Sequence, residues 1–211
     1  MIVDSFTAVG GCQNRPIQLG IDQLRRAMDK NGVDLAMTFS LRSVQVDAVL
    51  GNEYIYSIAQ EDARILPVAV VDPRSSQHLD RTLDSAVTNE AVALAFHMTG
   101  ISCPPNSILF RRSLKAAAAT SKPLIFVDNI AGRLTQLAEM TRDLGCRKVL
   151  FAGASYHRAD ELLAILRNST TFMWRTAGRS HRALSACWPR VIGQIGSCLV
   201  QWHRLARCVW R

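Results

Sequence analysis

Seven short apolar runs, centred near residues 2, 34, 66, 92, 124, 149 and 172, recur at intervals of 23 to 32 residues. Each interval holds one strand, one helix and two short connections, so the chain reads as one βα unit repeated. Repetition of that unit forces the strands to run parallel, because each crossover helix carries the chain back to the end from which it started. The third run, Ile65-Leu66-Pro67-Val68-Ala69-Val70-Val71, is apolar without alternation and stops at Asp72-Pro73. An unbroken apolar strand is one buried on both faces, by helices outside and by a core inside.

Between the runs the period changes to that of a helix. Ile17, Ile21, Leu24 and Met28 mark one stripe, stopped by Asn31-Gly32. Tyr54, Ile55 and Ile58 form the inward side of a helix over 52–59, and Leu79, Leu83 and Val87 that of the next. Residues 108–118 are helical. Ile130, Leu134, Leu137, Thr141 and Leu144 trace a further face that ends at Gly145, and Leu162, Ile165 and Leu166 trace the last. The expected fold is therefore α/β and (β/α)8-barrel-like, with parallel strands and outer helices. It is incomplete, with six or seven βα units over residues 1–174. Even spacing and single-helix crossovers favour a barrel over a doubly wound sheet.

Residues 175–211 break the pattern. They hold seven of the 25 Lys and Arg and no acid, leaving 18 basic against 17 acidic side chains in residues 1–174. The net charge of +8 thus belongs to the tail and says nothing about the partner of the nearly neutral body. The tail carries neither a helical nor an alternating period, and holds three of the six Cys and three of the four Trp. It reads as an irregular segment outside the domain, of the composition that translation out of frame produces. A basic arm stacking nucleic acid on Trp188, Trp202 and Trp210 is the disfavoured alternative. Cys187, Cys198, His203 and Cys208 are spaced too widely for a zinc knuckle. With no disulfide framework, no basic leader at Met1-Ile2-Val3-Asp4 and no apolar stretch of about 20 residues, the expectation is a cytoplasmic protein without a membrane anchor.

The opening Ile2-Val3-Asp4-Ser5-Phe6-Thr7-Ala8-Val9-Gly10 resembles that of the amidohydrolase superfamily, especially its small barrel hydrolases and decarboxylases. Those proteins begin with an apolar pair, then Asp-x-His-x-His and a Gly. Gly32-Val33-Asp34 before the second strand, Gly51-Asn52-Glu53-Tyr54 opening a helix, and Val70-Val71-Asp72-Pro73-Arg74 closing the third strand add to the likeness. It covers residues 1 to about 174. The resemblance implies a divalent metal, zinc or similar, at the C-terminal mouth of the barrel, where it would polarise substrate and acidify a water.

Carried over position by position, the ligands of that family fall on Phe6 and Ala8 in the first strand, Val127 at the end of the fifth and Gly153 at the end of the sixth. A lysine found at the end of the fourth strand in some members falls on Ala93, and the final Asp has no counterpart. No metal is therefore expected, and the resemblance implies a catalytically degenerate relative. Asp4, His97, Asp128 and His157, at strand ends, are the candidates for replacement acid–base chemistry without a metal. The plainer expectation is that Asp4 pairs locally, Asp128 caps a helix beginning near Asn129-Ile130, and His157 is solvated beside Arg158. Ser155, His157 and Asp160 are too close in sequence to converge as a triad. Two partners are expected: a small-molecule ligand at the barrel mouth, and a second copy of the chain through open sheet edges.

Overall fold

In a computed structural model of the chain, the described residues are 2–11, 18–98, 103–127, 130, 132–154, 159–167 and 172–176. Seven parallel strands form one sheet in the order of their sequence. β1 (Val3–Gly11) is followed by the two-residue β2 (Gln18–Leu19), then β3 (Leu35–Ser40), β4 (Ile65–Val70), β5 (Ala93–His97), β6 (Leu124–Val127), β7 (Val149–Ala154) and β8 (Phe172–Thr176). β2 alone is antiparallel, pairing with Gly10 and Gly11 at the end of β1. The sheet order is β2-β1-β3-β4-β5-β6-β7-β8, the sequential parallel order of a TIM-type barrel wall. β8 runs two residues past position 174.

The helices fall where the period changes: α1 (Ile21–Asn31), α2 (Leu41–Gln45), α3 (Ala48–Glu61), α4 (Leu79–Thr88), α5 (Ile108–Ala119), α6 (Arg133–Asp143) and α7 (Ala159–Arg167). Gly32 ends α1 at φ +63°, a left-handed conformation that costs glycine little, and its N–H closes on the carbonyls of Met28 and Asp29. Ser107 and Asp47 cap α5 and α3 through their side chains. α6 has Gly132 at its cap and therefore no side chain to serve it. Glu161 of α7 does so instead, its carboxylate accepting from Thr135 N at 2.9 Å and Gly132 N at 3.2 Å. That contact fixes α6 against α7 at the negative-charge-favouring end of the helix.

Side-chain alternation along each strand separates two cores. On the helix side, Phe96, Phe126 and Phe151 are register partners on three successive strands and lie ring against ring at 5.5 and 5.9 Å. Phe110 of α5 meets Phe96 edge-on at 5.5 Å, so one aromatic row anchors the helix layer to the sheet. All four are fully buried. On the axis side, Ala93 and Ala95 keep the lower part of β5 small, and His97 stands at its end.

A second clamp joins α2 and β4 through α3. Asn52 donates to Val70 O and accepts from Val70 N, both at 2.9 Å, and its Oδ1 also receives Ser43 Oγ at 3.2 Å. The neighbouring Gly51 sits against α2, where a Cβ would overlap the backbone of Ser43. Gly51-Asn52 therefore lies in the second turn of α3 as a packing device, rather than opening the helix as its sequence suggested.

Several details of the helices differ from the sequence reading. Tyr54 and Val87 point outward, at 42% and 54% exposure, while Tyr56 takes the buried place on α3. Ile130 and Leu144 lie beyond the ends of α6 and are exposed, because the helix starts at Arg133 and not near Ile130. Ala93 opens β5 instead of closing it, so it stands at the opposite end of the strand from the mouth.

Candidate functional site

Because the seven strands are parallel, their C-terminal ends share one side of the molecule, the side on which barrels of this type gather reactive groups. The ends of all seven parallel strands are among the described residues. Their shape begins with an irregularity in β1. Asp4 pairs with Ala36 and Thr7 with Thr38, so β1 inserts one extra residue between them. Such a bulge re-aims the side chains beside it. Asp4 Oδ1 accepts from Phe6 N at 3.3 Å across this step. The Phe6 ring stacks on Phe39 at 4.7 Å with 17° between the planes.

His97 completes the group. Its ring lies 4.7 Å from that of Phe39 and 5.9 Å from that of Phe6. Phe6 and Phe39 are buried, and His97 keeps some accessible surface although its Nε2 is enclosed. Nε2 has no hydrogen-bond partner among the described residues. Burial lowers the imidazole pKa from 6.5 to about 4, since a charged ring in this setting would lose its hydration without gaining a counter-ion. His97 is thus neutral at physiological pH. A base of that strength takes up little proton near neutrality, which weakens the case for it as a general base.

The positions that the resemblance assigned to metal ligands can be followed individually. Phe6 fills the axis side with its ring. Ala8, the register partner of Phe39, offers a methyl group. Val127 is the register partner of His97 and is also aliphatic. Gly153 has φ +78°, and a Cβ added there would meet Val127 Cγ1 at 3.3 Å. A histidine at 153 would need a backbone conformation that side-chain-bearing residues rarely adopt. The four positions supply no side-chain lone pair, so they do not fit a divalent ion. Among the described residues, no three of His, Cys, Asp and Glu converge in a way that could hold one.

Of the four acid–base candidates, the structure describes Asp4 and His97, while Asp128 and His157 lie outside the described residues, as do the tail residues Cys187, Cys198 and His203. The helix expected to start near Ile130 begins at Arg133, behind Gly132. Sequence reasoning missed Phe39. Its place at the end of an apolar run made it a strand residue, but its meeting with Phe6 depends on the bulge in β1. Among the described residues no helix is long and apolar enough to cross a membrane.

No protein-family model and no curated protein matches the sequence. Solved structures do match the fold. The chain is similar to 5-carboxyvanillate decarboxylase from Sphingomonas paucimobilis, with a TM-score of 0.61 and 12% identity over 87% of this chain and 83% of that one. It is similar to a probable 2-pyrone-4,6-dicarboxylic acid hydrolase from Acinetobacter baumannii, with a TM-score of 0.58 and 9% identity over 91% and 92%. A third match is 5-carboxyvanillate decarboxylase from Novosphingobium aromaticivorans, which has bound manganese, with a TM-score of 0.60 and 11% identity over 80% and 69%. At such identities the likeness establishes the fold, a parallel βα sheet of TIM-barrel type.

Proposed function

We propose that this chain is a barrel protein of amidohydrolase type in which the metal-dependent hydrolytic or decarboxylating chemistry has been lost. The observation that carries the reading is the stack of Phe6, Phe39 and His97 at the mouth, where a metal-dependent relative needs open space and lone pairs. Two lines support the ancestry: the ordered motifs from Ile2 to Arg74, and the solved hydrolase and decarboxylases whose fold the chain shares. One fold hosts many activities, so function rests on the site.

Without an ion, a water at the mouth keeps a pKa near 15.7 instead of about 7, and hydroxide is unavailable at neutral pH. What remains is a neutral imidazole bounded by two phenyl rings. With both rings buried, this cluster fills the mouth and lacks the groups that would turn a substrate over. The chain is accordingly a catalytically degenerate relative on a hydrolase scaffold. The test is a turnover assay of the full chain with 5-carboxyvanillate and 2-pyrone-4,6-dicarboxylate, each with added manganese or zinc. The expected result is no product above the protein-free control. Metal-stimulated turnover of either compound would refute the proposal.

A further inference from the structure

α4 links β4 to β5 and α5 links β5 to β6, so the two helices run in the same direction and pack side by side in the outer layer. Their outward surfaces carry opposite charge. On α5, Phe110, Ser113, Leu114 and Ala117 are buried, which places Ile108, Arg112 and Lys115 in one row on the opposite side. Arg111 flanks that row, and the helix contains no acid. On α4, with Leu79, Thr82, Leu83 and Ala86 buried, Asp80, Asp84 and Val87 form a second, exposed row. Arg81 stands on the other flank of α4, where it reaches Glu53 of α3 at 3.2 Å, so the acidic row lies on the flank nearer α5.

Neither row neutralises the other. Asp80, Asp84, Arg111, Arg112 and Lys115 are all exposed, and none makes an ion pair among the described residues. Ile108, 83% exposed, is the most exposed large apolar side chain among the described residues, and Leu109 and Val87 add further apolar surface. A uniformly charged partner does not match a face that sets apolar side chains among charges of both signs. An anionic membrane would attract the basic row and repel the acidic row next to it. A second copy of the same face matches both.

We propose that α4 and α5 form the contact face of a homodimer. A twofold axis running between the two helices and parallel to them lays α4 of one copy on α5 of its partner. The acidic row then meets the basic row, and the axis makes that contact twice, while Ile108, Leu109 and Val87 lose water. Two helices about 15 and 18 Å long offer less area than the roughly 800 Å² per partner of a standard interface, so the dimer is weak, with a micromolar Kd. The face lies on the outer layer, so the proposal is independent of the loss of metal chemistry at the mouth.

The experiment is sedimentation equilibrium of the full chain and its variants at low salt, at concentrations up to about 300 µM. The wild type is expected to show a monomer–dimer equilibrium that weakens as salt is added. Arg112→Glu sets acid against acid and Asp84→Lys sets base against base, so each should raise the Kd by about tenfold or more. The double variant Asp84→Lys with Arg112→Glu restores opposite charges across the axis and should return the Kd to within about threefold of the wild type. Lys30→Glu, an equal change of charge on α1, should leave the Kd unchanged. All of these positions are exposed, so the variants should retain the wild-type thermal midpoint. A wild-type chain that stays monomeric up to about 300 µM would overturn the proposal. So would a Kd indifferent to both reversals, which would place the contact at the open sheet edges. A double variant no tighter than the single ones would overturn it too, as would an equal loss in Lys30→Glu, which would trace the effect to net charge.

Discussion

His97 and Phe39 meet ring to ring, 4.7 Å between centroids, although β4 stands between their strands in the sheet. The contact spans the concave side of the sheet and closes the region where a barrel of this type keeps its reacting groups. It also explains the electrostatics of His97. The ring is held among apolar neighbours with Nε2 enclosed, so only the neutral form is tolerated.

The first prediction follows from that preference. The folded-state pKa of His97 is about 4 against an ordinary 6.5, so the unfolded chain binds the extra proton first as pH falls. The stability associated with a neutral His97 is complete above about pH 6.5 and is lost as pH drops towards 4, by about 3 kcal/mol at most. Urea unfolding of wild type and His97→Leu at a series of pH values should show a steeper decline in the wild type over this window. Parallel curves would mean that His97 is not buried in the neutral form.

Asn52 supports two backbone groups of Val70 at once. Asn52→Ala leaves a buried N–H and a buried C=O without partners and should cost about 2–4 kcal/mol. Asn52→Asp keeps the acceptor but loses the donor and gains a buried charge, so it should be no milder. A denaturation midpoint within error of wild type for either variant would contradict the clamp.

Gly51→Ala adds a Cβ that overlaps the Ser43 backbone. Rigid backbone cannot yield as a side chain end does, so this one-carbon change should cost about 1–3 kcal/mol or more. The ordinary helical preference for Ala over Gly would by itself stabilise α3 by about 1 kcal/mol. The sign of the effect therefore decides between close packing and simple propensity. Thermal unfolding with an unchanged or raised midpoint would exclude the close approach of α2 and α3.

The row Phe96–Phe126–Phe151 should be the costliest part of the helix-side core to disturb. Phe126 is fully buried with a ring on either side, so Phe126→Ala should lose about 3–5 kcal/mol. Phe126→Leu, which retains most of the volume, should cost clearly less. Equal losses would argue that ring stacking and filled volume are not what this row contributes.

The strands were legible in the sequence because each is a short apolar run whose burial needs no knowledge of its neighbours. Ile65 to Val71 is the clearest case, apolar at every position and buried at nearly all of them. Helix ends were harder. Val87 and Leu144 continue an apolar period past the point where the helix leaves the sheet, so the stripe overstated the buried face. The mouth was only half legible. Missing ligands at Phe6, Ala8, Val127 and Gly153 could be read from residue identity, but the stack of Phe6 on Phe39 requires the extra residue in β1 between Asp4 and Thr7. The cap given to α6 by Glu161 was equally invisible, since its two ends lie 26 residues or more apart.

Elemental analysis of the full chain, purified without a metal-binding tag, measures directly whether the mouth can hold an ion. After incubation with manganese or zinc and exhaustive dialysis, the protein is predicted to retain well under one equivalent of either. The double substitution Phe6→His with Ala8→His should not change that result, because Val127 and Gly153 on the facing strands would still lack donors. One equivalent of metal retained by the wild-type chain, and lost on changing Asp4 or His97, would contradict the central claim.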